Sequence, residues 1–116
     1  MDTTISRFDQ MISDAKRLKL GGVMRLAVLD RIEQASLDEE EYTEEQFVYW
    51  IECLNSAAGW VDSPKVASGI YRDIGYLLSA KGDTDGAIRY FEGSLDAYPE
   101  TDMRFDIENR LKELRR

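Results

Sequence analysis

Acids dominate the residues of this chain that could do chemistry, and the imidazole that most often moves protons is missing. Of 116 residues, 23 are Asp or Glu and 15 are Lys or Arg, a net charge of −8, with no His and a single cysteine, Cys53. Without His there is no Ser-His or Cys-His nucleophile pair, no imidazole general base and no His-ligated zinc or iron. Carboxylate-only catalysis would require two acids converging in a buried pocket, and no spacing here demands one. Asp83-Thr84-Asp85-Gly86 has the composition of a calcium loop. In that frame, however, the first ligand falls on Lys81 and the twelfth on Glu92, inside a stretch that reads as helix, so too few loop oxygens remain for Ca²⁺. These Asp residues read as turn and helix-capping groups. No enzyme, metal or cofactor is expected.

The densest charge lies in residues 30–45: eight acids (Asp30, Glu33, Asp38, Glu39, Glu40, Glu41, Glu44 and Glu45) against one base, Arg31. Residues 16–25 hold Lys16, Arg17, Lys19 and Arg25 and no acid. The acidic strip, Glu39, Glu40, Glu41, Glu44 and Glu45, has two readings. It is a solvated loop running into a helix whose N-terminus favours carboxylates, or a docking strip for a basic partner that imitates a nucleic-acid backbone. The separation of charge along the chain also allows head-to-tail self-association, so a homo-oligomer is one expectation. Nucleic acid itself is not expected as a direct partner, because neutralising phosphates requires a surplus of Lys and Arg. The first nineteen residues lack an apolar stretch and read as neither signal peptide nor membrane anchor. A cytoplasmic setting with Cys53 as an ordinary thiol is the default.

These groups must be positioned by helices. Ile5, Phe8, Met11, Ile12, Ala15 and Leu18 recur at spacings of three and four over residues 3–19, an amphipathic stripe, and Gly21-Gly22 reads as its stop. A second helix is predicted at 23–36, with Leu26, Leu29 and Ile32 on its main face and Met24, Val28 and Ala35 broadening it. Thr43-x-x-Gln46 has the capping-box form and opens a third helix. There Phe47, Trp50, Ile51, Leu54, Ala57, Ala58 and Val61 fill one wide face and Tyr49, Cys53 and Trp60 a second. Tyr42, Tyr49, Trp50 and Trp60 read as core in preference to a partner-binding surface. Ser63-Pro64 opens a fourth helix, Gly82-Asp83 turns the chain, and a fifth helix runs from Asp85 to Ala97 before Pro99. Thr101 is expected to cap a sixth, with Met103, Ile107, Leu111 and Leu114 in one stripe. Six helices and no strand are predicted.

The segment from Ser68 closely resembles one tetratricopeptide repeat, a helix pair with a 34-residue period. Tyr71-x-x-Ile74-Gly75-x-x-Leu78 stands where the family has Trp-x-x-Leu-Gly-x-x-Tyr, and Ala87-x-x-x-Phe91 with Pro99 follows its second half, Ser94 replacing a small Ala. Gly69, Gly75, Gly86 and Gly93 all fall in predicted helices, at about 0.8 to 1 kcal/mol each relative to Ala. Close packing of two helices through small residues would compensate, with Gly75, Ala87 and Ser94 at the crossing and Tyr71 and Phe91 beside them. One frame earlier, Cys53 falls at the position of Ala87 and Trp60 at that of Ser94. One frame later, Phe105 matches the aromatic position while Glu108 and Asn109 replace the Ile-Gly pair.

The expected fold class is therefore all-α, an antiparallel helix-pair array forming a single domain over 1–116. It comprises degenerate helical hairpins at 1–62, the repeat-like pair at 63–101 and a capping helix at 102–116. The resemblance implies a concave groove lined by first helices that binds a segment of another protein. The groove positions carried over are Arg72, Tyr76 and Ser79, with Asp106 and Arg110 on the capping helix. Family members that clamp the C-terminal carboxylate of heat-shock chaperones carry Lys and Asn at the positions of Arg72 and Tyr76, and Tyr76 departs from that pattern. The expected function is a non-catalytic adaptor, co-chaperone or regulator; the alternative is the nucleic-acid-mimicking inhibitor acting through residues 30–45.

Overall fold

A computed structural model describes residues 7–38, 41 and 43–116. Among these the chain forms six helices and no strand: α1 (Arg7–Leu18), α2 (Gly21–Leu37), α3 (Glu44–Trp60), α4 (Pro64–Lys81), α5 (Thr84–Ala97) and α6 (Arg104–Leu114). Contacts divide them into two compact units, residues 1–60 and 61–116. Among the described residues no helix is long and apolar enough to cross a membrane.

In the first unit α2 packs against both α1 and α3. Its core is Ile12 and Ala15 of α1, Met24, Ala27, Val28 and Ala35 of α2, and Trp50, Cys53, Leu54, Ala57 and Ala58 of α3. Trp50 is buried with its ring 6.1 Å from that of Phe47, Trp60 is half-buried and Tyr49 is exposed. The core reading of the aromatics thus holds for Trp50 and fails for Tyr49; Tyr42 and Ile5 lie outside the described residues. The start of α3 follows the capping chemistry: the Thr43 amide donates to Gln46 Oε1 at 2.9 Å and the Gln46 amide to Thr43 Oγ1 at 3.1 Å. Thr43→Ala removes one half of this exchange and is expected to cost about 1 kcal/mol, read as a lower thermal midpoint of helical circular dichroism.

Three local expectations are corrected. Gly21-Gly22 does not end α1. Lys19 takes the left-handed conformation there (φ 53°), the Leu20 amide donates to the Ala15 carbonyl at 2.9 Å, and Gly21 and Gly22 become the first turn of α2. The face of α2 is also rotated from the one predicted: Leu26 points out at 64% exposure while Met24, Ala27 and Val28 point in. Thr101 does not cap α6. Its hydroxyl accepts from the Met103 amide two residues on, at 3.2 Å, which makes a turn, and the helix begins at Arg104.

In the second unit α5 packs against both α4 and α6. Ser63 Oγ accepts from the Val66 amide at 3.3 Å with Pro64 in the first turn, which starts α4 as the sequence predicts. Gly82 ends it with φ 95°, a conformation that strains any residue with a Cβ. The Asp83 amide reaches back to the Leu78 carbonyl at 2.9 Å and the Gly82 amide to that of Ser79 at 3.1 Å, the paired bonds of a left-handed helix stop. Asp83 then caps α5 by accepting from the Gly86 amide at 2.9 Å. Two residues of turn therefore leave α4 and α5 antiparallel.

The interior of this pair is very close. A Cβ on Gly75 would stand 2.8 Å from Phe91 Cε1, so the aromatic ring lies directly on the backbone of α4. Further along the pair, Ser68 Oγ donates to the Ser94 carbonyl and Ser94 Oγ to the Ser68 carbonyl, each at 2.8 Å, in a fully buried exchange. Ile70, Ile74, Leu78, Ala87 and Phe91 complete the core. Not every helical glycine is explained by packing. Nothing lies within 4 Å of a Cβ built on Gly93, and at Gly86 the neighbour is the capping carboxylate of Asp83.

Candidate functional site

The second unit carries a polar cleft of about 350 Å³ lined by Tyr76 of α4 and Asp106, Asn109, Arg110 and Glu113 of α6. Tyr76 is anchored from below: its ring meets Phe91 edge-on, with centroids 5.2 Å apart and planes at 81°. From above, the Arg110 guanidinium sits over the same ring at 5.3 Å. That placement holds an otherwise flexible cation at the cleft wall through the negative face of the aromatic ring. Arg110 also reaches Glu113 at 3.6 Å, an exposed pair that contributes little stability but turns the guanidinium toward the cleft's acidic side.

Of the five residues expected to bind a partner, Tyr76, Asp106 and Arg110 are brought together here. Arg72 and Ser79 lie half-buried on α4 and do not line this cleft. Asn109 and Glu113 were not singled out from the sequence. They lie three and seven residues beyond Asp106 on the same face of α6, and the signal that would have found them is that helical spacing. Chemically the cleft offers one cation, two carboxylates and an amide able both to donate and to accept, a set that suits a peptide backbone and its side chains.

A second depression, about 300 Å³, is lined by Tyr71, Arg89, Tyr90 and Gly93, with the two tyrosine rings 6.1 Å apart. Tyr71 thus borders open space in addition to packing beside the helix crossing.

Among the described residues of the first unit, Lys16, Tyr49 and Cys53 bring an amine, a phenol and a thiol together. Lys16 Nζ lies 5.2 Å from the Tyr49 ring centre, and Cys53 follows Tyr49 by one turn of α3. Burial pushes the Cys53 thiol up from its ordinary range, and its neighbours Tyr49 and Lys16 only partly offset this. Burial likewise raises the Tyr49 hydroxyl, with Cys53 adding and Lys16 opposing. A buried thiol held protonated at neutral pH behaves as a small apolar core group. Among the described residues no three Cys, Asp or Glu side chains converge to hold a metal ion. Of the acidic strip, Glu39 and Glu40 lie outside the described residues; Glu41, Glu44 and Glu45 are exposed, the last two in the first turn of α3.

Comparison with protein-family models, with curated proteins and with solved structures finds no match to this chain.

Proposed function

We propose that this chain is a non-catalytic protein-interaction module that holds an extended segment of another protein in the cleft between α4 and α6. The carrying observation is the Tyr76, Asp106, Asn109, Arg110, Glu113 constellation, in which an aromatic ring fixes a cation beside an amide and two acids. The tight α4–α5 pair, closed through Gly75 against Phe91 and through the Ser68–Ser94 exchange, supports reading residues 63–101 as a tetratricopeptide-like repeat. On that reading α4 is a first helix and α6 stands where the next would follow, so their shared cleft is the binding groove. Asn109 would pair with a peptide group of the bound segment, while Arg110 takes an acidic side chain or terminal carboxylate. Asp106 and Glu113 disfavour a uniformly acidic ligand and admit a basic residue beside the acidic one.

A random peptide library displayed on phage tests this reading. Selected peptides should bind the wild-type chain and lose about tenfold or more in affinity to Arg110→Glu and to Tyr76→Ala, measured by fluorescence anisotropy. Arg110 is exposed, so its substitution leaves the fold intact, which a circular dichroism melt verifies. Failure to enrich any sequence, or peptides that bind both variants as tightly as wild type, would remove the cleft as the binding site.

A further inference from the structure

On α5 one helical glycine has no packing reason. A Cβ on Gly93 would meet nothing within 4 Å, so about 1 kcal/mol of helix propensity is given up there for no internal contact. Gly93 instead borders the depression of about 300 Å³ that it shares with Tyr71 of α4 and with Arg89 and Tyr90 of α5. The two tyrosine rings stand 6.1 Å apart and tilted at 44°, a ridged aromatic wall beside a stretch of helix that carries no side chain. Arg89 is exposed, and among the described residues it makes no ion pair or side-chain hydrogen bond. Asp85 stands one turn before it without pairing, and Glu92, three residues after, is held by Arg115 at 3.2 Å. None of these lining residues belongs to the α4–α6 cleft, and Tyr71 and Tyr76 lie about 140° apart around α4.

The chemistry of this hollow selects among the ways a protein can hold a chain. Both walls are helical, so no sheet edge is offered to an added strand. A helical ligand would need apolar anchors over two turns, and about 300 Å³, at the bottom of the range for ligand sites, has room for one. Phosphorylated segments are read by clusters of arginine, whereas among the described residues Arg89 is the one cation lining the hollow. The mode that fits is polyproline II, in which rigid proline rings dock against aromatic side chains and no backbone pairing is needed. Glycine at the base of the wall lets the bound backbone come close to α5. The free guanidinium then takes one carboxylate, while the net charge of −8 repels a longer acidic run. We infer that the Tyr71–Tyr90 hollow is a second peptide site, for an extended proline-containing segment of another protein whose neighbouring acid pairs with Arg89. It stands independently of the α4–α6 cleft.

Nuclear magnetic resonance titration of the isotope-labelled full chain with a synthetic heptapeptide, prolines around one central glutamate, tests the site. The amides of Tyr71, Arg89, Tyr90 and Gly93 should shift together and saturate with a Kd on the order of 0.1 to 1 mM, since so small a contact is weak. Arg89→Glu should weaken binding about tenfold, and a peptide with glutamine in place of glutamate should bind the wild type and that variant alike. A peptide with alanine in place of every proline should not bind. Gly93→Leu fills the hollow from its base. Because leucine is the better helix former, this variant should melt no lower than wild type yet lose binding about tenfold, which separates occupancy of the hollow from damage to the fold. No shift up to about 5 mM peptide, shifts at Asp106, Asn109 and Arg110 instead, or a Gly93→Leu chain that binds like wild type overturns the site. An alanine peptide that binds as tightly as the proline peptide overturns the polyproline mode, and a glutamine peptide that does so overturns the pairing with Arg89.

Discussion

Phe91→Ala is expected to lower stability by about 3 to 5 kcal/mol, the range for removing a fully buried aromatic side chain. Phe91 has no solvent exposure, its ring lies against the Gly75 backbone, and it supports Tyr76 edge-on. The helices on either side are held at both ends, by the Gly82 stop and by the Ser68–Ser94 exchange, so they cannot collapse into the space the ring leaves. A cavity that does not close carries the full loss of transfer energy and of contacts. With about 4 to 8 °C per kcal/mol for a domain of this size, the thermal midpoint of the second unit should fall by about 12 to 40 °C. Phe91→Leu retains most of the volume and should cost only about 1 to 1.5 kcal/mol. A loss below 1 kcal/mol for the alanine variant would show that the ring is not the packing centre of the α4–α5 pair. The same substitution removes the support beneath Tyr76, so peptide affinity at the cleft should fall along with stability.

What could be read from the residues is mostly what they decide locally. Thr43 with Gln46, Ser63 with Pro64, and Gly82 with Asp83 each set a helix end by bonds within four or five residues, and all three ends form where the sequence places them. Gly21-Gly22 misleads for a physical reason. Glycine is favoured in the left-handed conformation but does not require it, and here Lys19, two residues earlier, already satisfies the Ala15 carbonyl through the Leu20 amide. Thr101 misleads because a hydroxyl that caps a helix also closes a short turn. The facing of α2 is not encoded in its periodicity at all. Apolar residues surround it, so which side turns inward depends on α1 and α3 and not on spacing.

The cleft divides in the same way. Tyr76, Asp106 and Arg110 were expected from the repeat resemblance, and the structure brings them together. Asn109 and Glu113 join them because of the rotation of α6 about its own axis, which Ile107 and Leu111 set by burying themselves against α5. Neither buried residue distinguishes, in the sequence alone, a cap that turns its polar face to solvent from one that turns it toward α4. Arg72 lies one turn before Tyr76 on α4 and does not line the cleft.

Gly75→Ala separates the two effects that a helical glycine carries. In an open helix the substitution stabilises by about 1 kcal/mol. At Gly75 the added carbon would meet Phe91 Cε1, Cδ1 and Cζ at 2.8, 2.9 and 3.0 Å. Carbon atoms in contact prefer about 3.5 to 4.0 Å, so α4 and α5 must part by several tenths of an ångström or the buried ring must leave its rotamer. Overpacking of this kind costs about 1 to 3 kcal/mol, and with the ring fully buried it is expected to outweigh the propensity gain. The variant should therefore melt lower than wild type. Gly93→Ala, on α5 where nothing lies within 4 Å, should melt higher by the propensity term alone. In a Phe91→Leu background the narrower side chain relieves the contact, so Gly75→Ala should lose most of its penalty there. A double-mutant cycle should then give a favourable coupling of about 0.5 to 3 kcal/mol. If Gly75→Ala instead stabilised the wild-type chain as Gly93→Ala does, the closeness of α4 to α5 would not depend on a missing Cβ. The repeat-like reading of residues 63–101 would then lose its main physical support.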